Sequence, residues 1–273
     1  MEKMSYSKAL KFGGFTYLGS VAQSAKTNMS KKNGTYTYCI YLAPSTMSGY
    51  NVCPNAEHCK ANCLSGSGRA KLETLSKGFE ESKINQARIK KTKLLFEHKD
   101  IFMLLMIHEI EYWQKRAEKD GYNFSVRING TSDLSPLKFK DENGKNILEI
   151  FPNVQFYDYT KVPTRHKLVE QYKNYYLVLS YNGYNDEECK EWLAKGGNVA
   201  VVFFGDKLPK KFMGYNVCDG NNFDMRYLDP QNSVVGLHYH KTANDYKVIN
   251  GKRTFVTPNT PFVVMENDER IEW

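Results

Sequence analysis

No stretch of the chain approaches the about 20 consecutive apolar residues of a membrane-spanning helix. The opening residues, Met1-Glu-Lys-Met-Ser-Tyr6, lack the apolar core of a secretory signal. Both absences predict a cytoplasmic protein with no membrane partner. Cysteine is scarce: six in 273 residues are too few to staple a disulfide scaffold of this length. Neither an internal repeat nor a low-complexity linker divides the sequence. Acidic residues are outnumbered, with 30 Asp and Glu against 38 Lys and Arg, which leaves a formal net charge of +8. That excess suits a polyanionic partner without requiring one. Lys90, Lys91 and Lys93 carry part of it in one helical pattern, where a solvated face and a nucleic-acid footprint are both open readings.

What is present is globular. The hydrophobic content of 41% and the length suit one large α/β domain or two small ones. Cys53-Pro-Asn-Ala-Glu-His-Cys59-Lys-Ala-Asn-Cys63 places three of the six cysteines within eleven residues. This run follows the apolar, aromatic stretch Tyr36-Thr-Tyr-Cys-Ile-Tyr-Leu42 and precedes a long helical pattern. Clustered thiols on a loop leaving a strand can wrap soft ligands round one ion or cluster. Cys39, Cys189 and Cys218 are scattered and read as small core residues.

The period of the apolar residues orders the rest. Residues 1–35, rich in Ser, Lys, Asn and Gly, predict an irregular N-terminal arm, and the first strand is expected at 36–42. From Leu72 to Lys119 the spacing is helical, with a break at Glu97-His-Lys-Asp100. Strands follow at 124–129, 154–159, 176–181 and 198–204, and weaker ones at 215–219 and 233–239. Charged helical segments between the later strands imply parallel pairing. The expected fold is α/β: a complete or partial parallel (β/α) barrel over 36–245, with a cysteine loop after the first strand. Ile249-Asn-Gly-Lys252 marks a turn, so 246–273 reads as a hairpin and tail packed on the same domain.

In such a barrel, chemistry gathers where strands pass into loops at their C-terminal ends. Period-2 alternation sets Val126 and Ile128 on one face, and Arg127, Asn129 and Thr131 on the other. Polar groups recur at later strand ends. Arg127, Asn129, Asp133, Asp158 and Lys161 are the candidates for catalysis. Gly130, Thr131, Tyr157, Ser180, Asn182, Asp219, Asp224, Arg226 and Lys241 are the candidates for cofactor binding. The rival reading makes Arg127, Asp133 and Asp158 a buried ion network that pins the sheet's mouth.

Three thiolates leave one position open on a four-iron cluster. This is the logic of radical S-adenosylmethionine enzymes, whose cysteine loop also follows the first strand of a partial α/β barrel. Their usual spacing is three residues and then two; here it is five and then three. Cys53, Cys59 and Cys63 are therefore the metal candidates, for a 4Fe-4S cluster with S-adenosylmethionine as its candidate ligand. The alternative is structural zinc completed by His58, Cys39 or Cys218, of which Cys218 is preferred because His58 and Cys59 are adjacent. His238-Tyr-His240 also has the form of a nicking nuclease's metal ligands, with Tyr246 as the nearby tyrosine.

Ser48-Gly-Tyr-Asn-Val-Cys-Pro54, Cys59-Lys-Ala-Asn-Cys-Leu64, Gly68-Arg69, Val126-Arg-Ile-Asn-Gly-Thr-Ser-Asp133 and Phe156-Tyr-Asp-Tyr-Thr-Lys161 resemble the bacteriophage gene product 88-like proteins. So do Asn198-Val-Ala-Val-Val-Phe203, Asp224-Met-Arg226 and Gly236-Leu237. The resemblance covers roughly 36–245 and implies a phage-encoded protein working in a bacterial cytoplasm. It brings no activity with it. Where the family tends to have Lys-Gly after the final strand, this chain has His-Tyr-His-Lys-Thr, which weighs against a nuclease and singles out Lys241. The expectation is a metal-cluster enzyme of the radical S-adenosylmethionine type acting on a small molecule, a nucleotide or nucleic acid. The alternative is a zinc-stabilised module that binds nucleic acid or a host protein.

Overall fold

The computed structural model describes residues 4–21, 24–57, 59–60, 63–78 and 81–273. The chain opens with helix α1 (Tyr6–Gly13), strand β1 (Gly19–Val21), helix α2 (Ala25–Lys32) and strand β2 (Thr35–Ile40). The cysteine loop leads into helices α3 (Gly68–Lys77), α4 (Lys83–Glu97) and α5 (Lys99–Asp120). Alternation follows: β3 (Asn123–Arg127), α6 (Ile147–Ile150), β4 (Gln155–Thr160), α7 (His166–Gln171), β5 (Tyr175–Ser180), α8 (Asp186–Ala194) and β6 (Asn198–Phe203). The chain ends in strands β7 (Lys211–Phe212), β8 (Tyr215–Asp219), β9 (Val234–His238), β10 (Tyr246–Ile249), β11 (Lys252–Phe255), β12 (Val263–Val264) and β13 (Ile271–Glu272). Among the described residues no helix is long and apolar enough to cross a membrane.

The architecture is α/β with a mostly parallel central sheet. Among the described residues seven strands run parallel in the order β2-β3-β4-β5-β6-β9-β8. Antiparallel β1 flanks β2; at the other end antiparallel β7 flanks β8, and β13 pairs antiparallel with β7. Among the described residues the sheet is open, with β1 and β13 at its two ends and no closing pair between them. A complete barrel is thereby corrected to an open sheet. β12 pairs with β6 at Val202 and Phe203, beyond the stretch where β5 pairs with it, and so occupies the lane that β5 leaves.

Residues 1–35 differ from the expected irregular arm: α1, β1 and α2 lie there, so the cysteine loop follows the second strand in the chain. The first parallel strand is still β2. The helical stretch breaks at His98, which is both the last cap of α4 and the first cap of α5. In the C-terminal segment, Asn250 and Gly251, both at positive φ, turn β10 into β11. Asn-Gly suits such a turn because neither residue resists the left-handed backbone that strand twist requires.

Side-chain alternation divides the sheet into two unlike faces. Tyr38, Ile40, Val126, Phe156, Leu177, Leu179, Val199 and Val201 join Phe102, Leu105, Met106 and Ile110 of α5 in the main core. Residues half a period away form a smaller cluster on the opposite face, in which Val178, Ala200, Val235 and Leu237 are packed by Tyr159, Tyr176 and Cys218. The β8–β9 connection lies on this second face. A Cβ at Gly220 would meet Val235 at 2.5 Å and Leu237 at 2.8 Å, which is why the chain passes there as glycine. Farther along it, Asp224 and Arg226 are buried outright.

Candidate functional site

The cysteine loop is stitched to the C-terminal ends of three neighbouring strands. Backbone bonds run from Val52 N to Ser45 O at 3.0 Å and from Asp133 N to Val52 O at 2.8 Å. Thr131 Oγ1, past the end of β3, donates to Leu42 O at 2.5 Å. Asn55 Nδ2 donates to Lys161 O at 2.8 Å, which ties the loop to the end of β4. Gly130 permits this crowding: its N–H donates to Ile40 O at 2.9 Å, and a Cβ there would stand 2.6 Å from the Tyr41 ring. Gly130 and Thr131 thus serve the junction of strand ends.

The three thiols act on one another through space. Burial pushes the Cys53 thiol up to about 11, and the charges of Cys63, Asp133 and Cys59 push the same way. The Ser45 N–H, donated to Cys53 Sγ at 3.4 Å, opposes this. Burial also raises Cys59, against the pull of the neighbouring Lys161 ammonium. Arg88, on α4, donates to Ser65 O at 2.9 Å and exchanges charge interaction with Cys63, although burial weakens its own hold on its proton. Lys161 therefore reaches the thiol loop, where its side chain also lies over the Phe262 ring at 5.1 Å.

Clustered thiols, of which burial holds Cys53 and Cys59 protonated, are a soft donor set that a thiophilic cation would ionise and bind. The residues fit such a group in chemistry. Among the described residues no three His, Cys, Asp or Glu side chains yet stand together as ligands of one ion. His58 lies outside the described residues. The proposed fourth ligands stand elsewhere: Cys39 is buried beside Arg127 and Tyr41, and Cys218 on β8 answers to Asp229, Arg226 and Asp219. Six strand spacings of about 4.8 Å separate β2 from β8 along the sheet.

The other candidates sort into three groups. Arg127 Nη1 bonds both oxygens of Asp224 at 2.9 and 3.2 Å, and Tyr157 Oη donates to Asp224 Oδ2 at 3.0 Å. Arg226 is fully buried beside them, donating to Gly220 O and Phe223 O. These four form one polar cluster on the second face. Two of its neighbouring donor atoms, Arg127 Nε and Tyr159 Oη, are buried with no hydrogen-bond partner.

The second group braces loops instead of facing a ligand. Asp158 accepts Asn129 N–H at 2.8 Å and Asn129 Nδ2 at 3.0 Å, and Asn129 holds Leu134 and Ser132 in turn. Asp158 shares its face of β4 with Phe156 and Thr160, opposite Tyr157 and Tyr159. Asp133 is saturated by Thr160 Oγ1, Lys161 N–H and Arg165. The expected ion network of Arg127, Asp133 and Asp158 does not form as one unit: Asp133 pairs with Arg165, Arg127 pairs with Asp224, and Asp158 is braced by the Asn129 amide.

The third group closes turns. Asn182 and Ser180 O are bonded by Asn185, and Asn182 Oδ1 caps Tyr184 N–H. Asp219 accepts from Asn221 and Asn222. Lys241 lies over the Phe255 ring at 4.4 Å, away from this set. His238 Nδ1 faces Gly205 O at 3.2 Å, and Tyr246 sits on a hairpin strand, packed on Phe255.

Residues 18–254 match the family model described as Gene product 88. The chain belongs to the Gene product 88 family. The matched span takes in the seven parallel strands from β2 to β9, the three thiols and the Arg127–Asp224 pair, and it ends inside the hairpin of β10 and β11. No curated protein and no solved structure matches the chain.

The sequence reading missed Glu109 of α5. Its carboxylate accepts Leu18 N–H and Gly19 N–H at 2.8 Å each, Tyr38 Oη at 2.8 Å and Tyr6 Oη at 2.9 Å. One signal was available: a lone acid at a position whose helical neighbours Leu105, Met106 and Ile110 are all apolar.

Proposed function

We propose that this phage-encoded chain is a metal-cluster protein of the bacterial cytoplasm, in which Cys53, Cys59 and Cys63 hold an iron–sulfur cluster. The sheet, in this reading, is the partial barrel of a radical S-adenosylmethionine-like enzyme acting on a nucleotide or nucleic acid. The observation that carries the reading is the position of the thiols. They sit on the loop that leaves the first parallel strand and is tied to the C-terminal ends of β3 and β4, where parallel α/β sheets bind ligands.

When bound, a four-iron cluster with three protein thiolates supplies an open iron position and one-electron chemistry. The chain's own residues do the rest. Lys161 places positive charge beside Cys59 and lowers the cost of its ionisation, and Arg88 sets a second cation beside Cys63. Asp133 fixes Lys161 through its backbone N–H and so keeps that side chain at the loop. Asp224 orients Arg127, whose Nε, with Tyr159 Oη, offers donors for a polar ligand group. The cover of the β8–β9 connection keeps water from the second face.

The test is metal content and the visible spectrum of protein purified without oxygen. A brown chain with about four irons, lost in Cys59→Ala, is the expected result. Full iron in Cys59→Ala, or a colourless chain with one zinc, overturns the cluster assignment; zinc makes the loop a structural clip.

A further inference from the structure

The hairpin of β10 and β11 stands apart from the main sheet as a two-stranded ribbon. Such ribbons are marginal alone in water, and this one leans along one face on α3. Arg253 Nη2 donates to Leu75 O on α3 at 2.8 Å, Lys71 of α3 lies 5.6 Å over the Tyr246 ring, and Val256 N–H donates to Asp245 O at 2.8 Å. Cross-strand register sorts its side chains. Tyr246 with Phe255 and Val248 with Arg253 share one face; Lys247 with Thr254 and Ile249 with Lys252 share the other. Lys247, Val248, Ile249, Lys252, Arg253 and Thr254 are all exposed.

Charge on this arm is one-sided. Between His238 and Thr260 there are four cations, Lys241, Lys247, Lys252 and Arg253, and a single acid, Asp245. That acid is buried and taken up by Tyr239 Oη, Thr242 N–H and Thr242 Oγ1. The nearest acid of α3, Glu73, is spent on Ser82 and the start of α4. Among the described residues of these segments, no acid pairs with Lys247, Lys252 or Arg253. A basic two-stranded ribbon also has the width that a nucleic-acid groove admits.

We propose that the hairpin is a nucleic-acid-binding arm, whose Lys247 and Lys252 contact backbone phosphates and lay the polyanion beside α3 and the cysteine loop. The proposal deepens the reading above by naming its substrate class. It is tested on metal-free protein, so that failure of the cluster assignment leaves it standing.

The probes are a short fluorescent DNA duplex and its labelled single strand, titrated with the full chain between about 50 and 200 mM salt. The variant is Lys247→Gln with Lys252→Gln, two exposed positions with no side-chain partner among the described residues. Removing two phosphate contacts should flatten the slope of log affinity against log salt by roughly 1.8 and weaken low-salt binding on the order of tenfold. Thermal unfolding should be unchanged. A control with equal charge loss, Lys140→Gln with Lys145→Gln, should bind as wild type. Binding of either probe that follows this pattern supports the arm, and the probe that binds sets its strandedness. The arm is overturned by wild-type protein binding neither probe, by an unaltered slope in the hairpin variant, or by an equal loss in the control.

Discussion

Arg127 of β3 and Asp224 of the β8–β9 connection meet at 2.9 Å, with 1% of the aspartate side chain exposed. This contact fastens a loop to a strand four places away in the sheet, and it makes a chain crossing into a plug on the polar face. A buried pair holds its geometry only while both charges remain. Asp224→Asn strands the arginine and should lower unfolding free energy by about 3–5 kcal/mol. Arg127→Met combined with Asp224→Asn should cost less than the sum of the single changes. Urea titration of the four proteins checks this, and strict additivity would mean that the pair is not coupled.

Glu109 tethers the start of the chain to the body of the fold. Four donors converge on one carboxylate, two of them the backbone N–H groups that lead into β1. Glu109→Gln sets an amide against two of these donors. An unsatisfied buried donor costs about 1–3 kcal/mol, so a loss of roughly 2–4 kcal/mol is expected by chemical denaturation. A loss below about 0.5 kcal/mol, the range of a surface change, would contradict this role.

Where sequence and structure agree, local chemistry is decisive. Asn198-Val-Ala-Val-Val-Phe203 is apolar on both faces, the mark of an inner parallel strand. The cysteine loop was legible in place, since thiol spacing and the preceding strand are both local. β1, three residues long and held by a carboxylate 90 residues away, leaves no periodic trace. Arg226 reads as a polar loop residue, and its complete burial depends on contacts made only after the sheet exists. Alternation was carried past the strand's end to Asn129 and Thr131: β3 ends at Arg127, and beyond it the Asn129 side chain obeys Asp158, not the pleat.

Asp158 predicts a pH dependence of stability. Burial pushes its carboxyl up to about 7, against about 3.9 in an unfolded chain. Between those values the folded state holds a proton that the unfolded state releases. Stability from this group is therefore highest at or below about pH 4, falls as pH rises, and levels off above about pH 7. Three pKa units correspond to roughly 4 kcal/mol. Asp158→Asn should remove that slope, so the wild type should lose about 2–4 kcal/mol relative to the variant between about pH 4 and pH 7.5. Parallel pH profiles in urea unfolding would rule it out.

Lys161 predicts a difference in reactivity between two thiols of the same loop. Cys59 has that ammonium beside it, whereas Cys53 has the Asp133 carboxylate among its neighbours. The thiolate is the reactive form, and a nearby cation favours it. In metal-free protein at about pH 8, iodoacetamide should alkylate Cys59 faster than Cys53. Lys161→Met removes the cation, and the rate advantage of Cys59 over Cys53 should shrink or vanish. Peptide mass spectrometry over a time course gives both rates from one sample, with buried Cys189 as an unreactive internal reference. An unchanged ratio in Lys161→Met would remove Lys161 from the thiol loop, and with it the charge argument for a site built to receive a metal.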